Sequence, residues 1–299
     1  MRTSASIRPF GSPAPLWRIA RELRARPVAI EPRAFAAIDG QLSDAIRARI
    51  AFSRPSADDA PDDVYDVDGG RVVDAPPPYE LRDGVAVVPL HGVLGRHLGI
   101  LDMACGGCDV DCVAAALREA DADPAATGIV IDIDSPGGAI SGVADCADIV
   151  RDLAKPCVAY ASDLCASAAY WIASAADEIH VGPTCEIGSV GVYCAILDKS
   201  RAYDANGIKV ELFASGENKA AGYPGTSLTD GQRAVLQAQV DYLASLFKGA
   251  VLARREIEPT LLDGRCLVGQ QAVSAGFADE VETLAGAIAA ARGYGEIAP

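Results

Sequence analysis

An α/β fold with helices packed on a sheet is what this sequence predicts, and three observations predict it. From about residue 80 onward, short apolar β-prone runs alternate with segments of helical apolar spacing. Half of the 299 residues are hydrophobic and 22% are charged, enough for one large core. Turns rich in glycine and proline close the apolar runs, above all Ser135-Pro-Gly-Gly.

Ahead of this domain the chain reads differently. Residues 1–54 carry ten Arg against four acids, and 14–50 have helical character, so 1–52 is expected to be a short basic helical segment. Residues 53–79 contain Asp58, Asp59, Asp62, Asp63, Asp66 and Asp68 and then Pro76-Pro-Pro. Like charges and prolines at that density predict a solvated linker. The main domain is then 80–299.

Within it the elements follow in order. Val85-Ala-Val-Val-Pro-Leu reads as a strand and 112–122 as a helix. Gly128-Ile-Val-Ile-Asp-Ile-Asp is a strand closed by Ser135-Pro-Gly-Gly, with a helix over 140–153. Pro156-Cys-Val-Ala-Tyr is a strand, 166–176 an apolar buried helix, and Glu178-Ile-His-Val a short strand. Val190-Gly-Val-Tyr-Cys and Lys209-Val-Glu-Leu-Phe read as two more strands. A long helix is expected over 229–254, with Val235, Leu236, Val240, Leu243 and Leu246 at helical spacing. That apolar face serves either the core or an assembly contact. A short helix over 269–275 follows.

Composition excludes several functions. A net charge of −15 is wrong for a nucleic-acid binder. No apolar run reaches the ~18 residues of a membrane span, and no secretory signal opens the chain, so a cytoplasmic location is expected. Nine cysteines without a regular framework read as reduced thiols. Cys105, Cys108 and Cys112 include one CxxC but no second pair, and structural zinc wants four ligands. No G-x-G-x-x-G, Walker A, H-E-x-x-H or G-x-S-x-G motif occurs, so neither cofactor nor metal is expected. The three histidines, His91, His97 and His180, sit in strand or loop contexts more often structural than catalytic.

What remains is serine chemistry without histidine. The two glycines of Ser135-Pro-Gly-Gly allow close backbone approach and exposed N–H groups, which suits an oxyanion as well as an ordinary turn. Ser167 opens an apolar helix among small residues, as a nucleophile or as a simple cap. Lys219 lies in Ser215-Gly-Glu-Asn-Lys-Ala-Ala-Gly-Tyr-Pro-Gly, a loop where a desolvated lysine could act as a base and a solvated one would not.

These stretches, in order, resemble the S49 family of serine proteases, which comprises signal-peptide-peptidase-A and phage-capsid proteases. The likeness covers about 84–283. It rests on Ile131-Asp-Ile-Asp-Ser-Pro-Gly-Gly, Lys155-Pro-Cys-Val-Ala-Tyr, Ala166-Ser-Ala-Ala-Tyr-Trp-Ile-Ala and Gly188-Ser-Val-Gly-Val-Tyr. Ser215-Gly-Glu-Asn-Lys and Gly264-Arg through Gly276-Phe-Ala-Asp-Glu-Val complete it. The resemblance implies a ClpP/crotonase-like α/β fold and a Ser–Lys dyad, with Ser167 as nucleophile and Lys219 as base. It implies an oxyanion hole from the N–H groups of Gly138 and Ala168, with Ser189 orienting the lysine. Ser167-Ala-Ala-Tyr departs from the Ser-Gly-Gly-Tyr of cellular signal peptide peptidases, which also usually carry Tyr where this chain has Asn218. The Ser-Ala-Ala-Tyr version resembles phage and prophage head maturation proteases. That branch implies scaffold, portal or capsid protein substrates, a homo-oligomer, and a place in the host cytoplasm or the prohead. The rivals are a signal peptide peptidase, a crotonase-like acyl-CoA enzyme, and a catalytically idle capsid component.

Overall fold

The computed structural model describes residues 28–30, 78–99, 102–103 and 106–297. The expected basic segment 1–52 and linker 53–79 therefore lie outside the described residues, apart from 28–30 and 78–79. Residues 28–30 are a strand, β1 (Val28–Ile30), where the sequence suggested helix. Two of its three residues are β-branched and they follow Pro27, both of which favour extended backbone.

The domain then runs β2 (Glu80–Arg82), β3 (Val85–His91), β4 (Val93–Gly95), β5 (Gly107–Asp109), α1 (Val110–Ala122), β6 (Gly128–Ser135) and β7 (Gly137–Ala139). It continues with α2 (Val143–Arg151), β8 (Cys157–Ala166), α3 (Ala168–Ala173), β9 (Glu178–Val181) and β10 (Glu186–Gly188). After α4 (Ser200–Ala205) and α5 (Asp230–Leu252) come β11 (Cys266–Val268), α6 (Gln270–Ser274), β12 (Glu280–Val281) and α7 (Leu284–Ile297). Local chemistry sets several ends. Asp109 caps α1 by accepting the Asp111 N–H at 2.9 Å, and Lys155 Nζ donates to the Ala120 carbonyl at its other end.

The main sheet has the order β11-β10-β8-β6-β3-β2, with β9 also on β8 and β12 on β9. Its centre, β3, β6 and β8, is parallel. Along β6 the side chains alternate between two cores. Ile129, Ile131 and Ile133 join Val113, Leu117, Val143, Val150 and Tyr170 under α1, α2 and α3. Val130 joins Val85, Val87, Val158 and Tyr160 beneath Ala287, Ile288 and Ala291 of α7. A sheet covered on both faces has strands that are apolar on both sides, and Ile129, Val130 and Ile131 of β6 read that way before Asp132 and Asp134 begin an alternation towards its end. Burial pushes the Cys108 and Cys146 thiols up to about 12, so they stay protonated at neutral pH.

A second sheet, β1-β7-β4-β5, grows from the first. β3 and β6 are parallel neighbours, and each runs on past a bend, at Gly92 and Pro136, into β4 and β7. Leu94 then pairs with Gly138.

The expected strand over 209–213 is instead irregular and exposed, and Phe213 is 91% exposed. Its residues suit a strand, but a strand needs a partner, and none of the described strands pairs with it. The strand expected at 190–194 is found earlier, as β10.

α3 is buried at every position and anchors the region after Ser167. Tyr170 Oη donates to the Phe277 carbonyl at 3.1 Å. Trp171 stacks on Phe247 of α5, centroids 4.8 Å apart and planes 6° from parallel. Gln232, Phe247 and Val251 are the buried residues of α5. Phe247→Ala is therefore expected to cost about 3–5 kcal/mol. Chemical denaturation read by tryptophan fluorescence checks this; a loss under about 1 kcal/mol would show that the stack does not hold α5.

Candidate active site

Three chain segments converge at the carboxyl ends of the parallel strands, where α/β sheets commonly bind ligands. β6 and β8 pair so that Ser135 lies across from Cys165. The Gly137-Gly138 turn leaves just beyond the first, and Ser167 stands just beyond the second. β10 pairs with β8 so that Gly188 lies across from Ala166, which puts Ser189 next to Ser167 on the other side. The Ser167 N–H donates to the Gly188 carbonyl at 2.8 Å. The strand register therefore brings Gly138, Ser167, Ala168 and Ser189 to one edge, and α3 packs against β7 there.

Ser167 has φ 58° and ψ −120°, a backbone conformation that disfavours every residue with a Cβ. It is 1% exposed, and its hydroxyl makes no capping hydrogen bond to α3. The capping alternative for this serine is thereby removed. Trp171 N–H closes the first turn on the Ser167 carbonyl at 3.0 Å, which leaves the Ala168 N–H outside the helical ladder. Ser189 repeats the strained geometry with φ 53°, is buried, and is fixed by its N–H donating to the Arg265 carbonyl at 2.7 Å.

The glycine turn is held from below by Ser135, the first residue of the Ser135-Pro-Gly-Gly run. Its buried hydroxyl donates to the Gly92 carbonyl at 2.6 Å and accepts the Gly137 N–H at 3.2 Å. Gly137 has φ 87°. A Cβ on Gly138 would sit 2.0 Å from the Leu94 carbonyl oxygen. One glycine is demanded by conformation and the next by space. The surroundings are apolar: Cys165, Ala166, Ala168, Ala169 and Tyr170 are all fully buried. Burial pushes the Cys185 thiol nearby up to about 12.

Lys219 lies on the chain between α4 and α5. It is exposed, and its Nζ makes no hydrogen bond with Ser167 Oγ among the described residues. Its loop is nevertheless fixed, by a residue pair that the sequence reading missed. Thr229 and Gln232 form a capping box at the start of α5. The Thr229 hydroxyl donates to Glu217 Oε1 at 2.9 Å and Gln232 Nε2 donates to the Glu217 carbonyl at 2.6 Å. The Lys-loop is thus tied to the tip of α5 two residues before Lys219. The signal was legible in Thr229-Asp-Gly-Gln232, since Gln three residues after Thr is the capping-box spacing.

The other candidate bases are engaged elsewhere. His91 contacts Asp132, His97 contacts Asp111, and buried His180 contacts Glu178 at 2.8 Å. Lys209 pairs with exposed Glu211. Of the cysteine cluster, Cys108 is buried and Cys112 exposed, while Cys105 lies outside the described residues. No helix among the described residues is long and apolar enough to cross a membrane.

The family model of peptidase family S49 matches residues 150–296. Over 220 residues the chain is 36% identical to capsid assembly protease C of Escherichia phage lambda, covering 72% of this chain and 50% of that protein. Over 215 residues it is 32% identical to head-tail preconnector protein GP5 of Enterobacteria phage P21, covering 70% of this chain and 43% of that protein. The chain thus spans half or less of the length of these curated relatives. A ClpP1 mutant from Listeria monocytogenes aligns with a TM-score of 0.44 at 14% identity, covering 67% of this chain and 94% of that one.

Proposed function

The chain belongs to peptidase family S49, and from that premise we propose that it is a serine endopeptidase using a Ser167–Lys219 dyad to process phage head proteins. The observation that carries the reading is the backbone of Ser167. A buried serine held at positive φ, with a hydroxyl that caps nothing, has no structural return for its strain.

In this mechanism Lys219 takes the Ser167 hydroxyl proton as Oγ attacks the scissile carbonyl. The carbonyl oxygen becomes an oxyanion that accepts from the N–H groups of Gly138 and Ala168. The intermediate collapses with the leaving amine, which carries off the proton, and water then hydrolyses the acyl-enzyme. Ser189, beside Ser167, orients the lysine.

Lys219 reaches that position through assembly. Phe213, Leu197, Tyr242 and Leu246 are exposed apolar side chains on the excursion that carries Lys219 and on α5. Val235 is exposed as well, while Leu236, Val240 and Leu243 of the same face are half-buried, so part of the apolar face of the long helix is left open in a single chain. In a homo-oligomer this surface is covered, and the Lys-loop of one copy meets the serine of the next. Likeness to a capsid assembly protease and to a head-tail preconnector protein supports a phage head role, and within that role scaffold, portal or capsid protein is the substrate we propose, in the host cytoplasm or prohead.

Covalent labelling tests the assignment. A fluorophosphonate probe is expected to add to Ser167, located by peptide mass spectrometry, and to leave Ser167→Ala unlabelled. Equal labelling of both proteins, or label on another serine, would refute it.

A further inference from the structure

We propose that the outer edge of β7 is the peptide-binding edge of this site and that the chain's own Val28–Ile30 occupies it, in the place of an extended substrate. The inference rests on the protease reading and adds what binds beside the serine and what competes for the place.

β7 has two edges. One takes β4 in parallel, through Leu94 and Gly138. The other takes β1 antiparallel, with Val28 across from Ala139, Ala29 across from Gly138 and Ile30 across from Gly137. β1 therefore lies along the same three residues that include the proposed oxyanion donor. Paired strands sit ~4.7–4.9 Å apart. Ala29 lies across from Gly138, so a substrate backbone laid along this edge would take the place that β1 holds. The two chains cannot share the edge, so occupancy by Val28–Ile30 and by a substrate backbone exclude one another.

The recognition chemistry follows from the edge. Gly137 and Gly138 bring no side chains to it, so another backbone approaches closely and main-chain hydrogen bonds supply the affinity, as in strand addition. The occupant here is Val-Ala-Ile, small and β-branched and flanked by Pro27 and Pro32. A partner of that chemistry is an extended, apolar, small-residue segment. Because this occupant belongs to the chain, its effective concentration is that of a tethered ligand, ~mM for a flexible tether, and an outside peptide must overcome it. Lys219 is exposed and makes no hydrogen bond with Ser167 among the described residues, so in the single chain the occupant blocks the edge without being cut.

The test uses the full chain with Val28→Pro and Ala29→Pro together. Successive N–H groups of a strand point to opposite edges, so the pair removes a donor facing β7 whichever residue supplies it. The control, Val28→Thr with Ala29→Ser, keeps both N–H groups. The double-proline chain is expected to show at least ~5-fold lower KM for an extended fluorogenic peptide and at least ~10-fold faster amide exchange over 137–139. An acetylated, amidated peptide of residues 26–32 added to it should restore the protection. The control should match the wild type. Unchanged exchange and unchanged KM in the double-proline chain would overturn the inference. If fluorophosphonate still labels Ser167, the protease reading survives that result. If no variant is labelled while exchange responds as expected, the protease reading fails and β7 remains a peptide-binding edge.

Discussion

Ser167→Ala and Lys219→Ala are each expected to lower peptide hydrolysis by at least about 10⁴-fold, because nucleophile and base act as a unit and either loss removes the covalent route. Neither should unfold the protein. Alanine keeps the Cβ of serine, so the strained backbone at φ 58° is no worse off, and Lys219 is exposed. Mixing the two inactive proteins reads out the assembly. If the Lys-loop of one copy serves the serine of its neighbour, mixed oligomers contain sites with both groups intact, and activity returns. In a large ring mixed evenly, roughly a quarter of the sites would be complete, about three orders of magnitude above either parent. Full activity in either single variant would sink the dyad. No recovery in oligomers shown by mass spectrometry to be mixed would mean that each copy builds its own site.

Gly138→Ala is expected to lower kcat by about 10²–10³, the loss of one oxyanion donor. The new Cβ would lie 2.0 Å from the Leu94 carbonyl oxygen and 2.6 Å from its nitrogen, distances that real contacts do not allow. Backbone offers no flexible end that could yield, so β7 must move away from β4 and carry the Gly138 N–H with it. A displacement near 1 Å is enough for a loss of that order. Steady-state kinetics alongside a thermal melt separates this from unfolding. A variant with wild-type kcat would remove Gly138 from the oxyanion hole.

The central fold was legible because its signal is local. The apolar runs of β3, β6 and β8, and the helical spacing of α1, α2 and α5, each declare themselves within one element. What escaped depends on partners distant in sequence. β4, β5 and β7 are three residues long, too short to show a period, and exist through register with each other. The 209–213 stretch has strand composition but no strand beside it, so propensity misled. At the site, Ser167 stood out by its small neighbours, but its positive φ has no sequence signature in a residue other than glycine. Lys219 stood out as the lysine of a small-residue loop. The placement of its loop could not be read, because that follows from the ties of Glu217 to Thr229 and Gln232. β1 was hidden in a stretch whose composition reads as helical.

α5 behaves mechanically as a cantilever. It is clamped to the body near one end, where Phe247 lies against Trp171, and it carries the Lys-loop at the other, where Gln232 holds Glu217. Fifteen residues of helix separate clamp and load, a beam of roughly 22 Å. A tilt of about 5° at the clamp sweeps the tip through roughly 2 Å. Proton transfer tolerates far less than that. A beam supported at one end cannot hold its load to the tolerance the chemistry sets, however well the clamp is packed. The tip needs a second support, and the bare apolar surface along the beam is where a neighbouring copy can provide it.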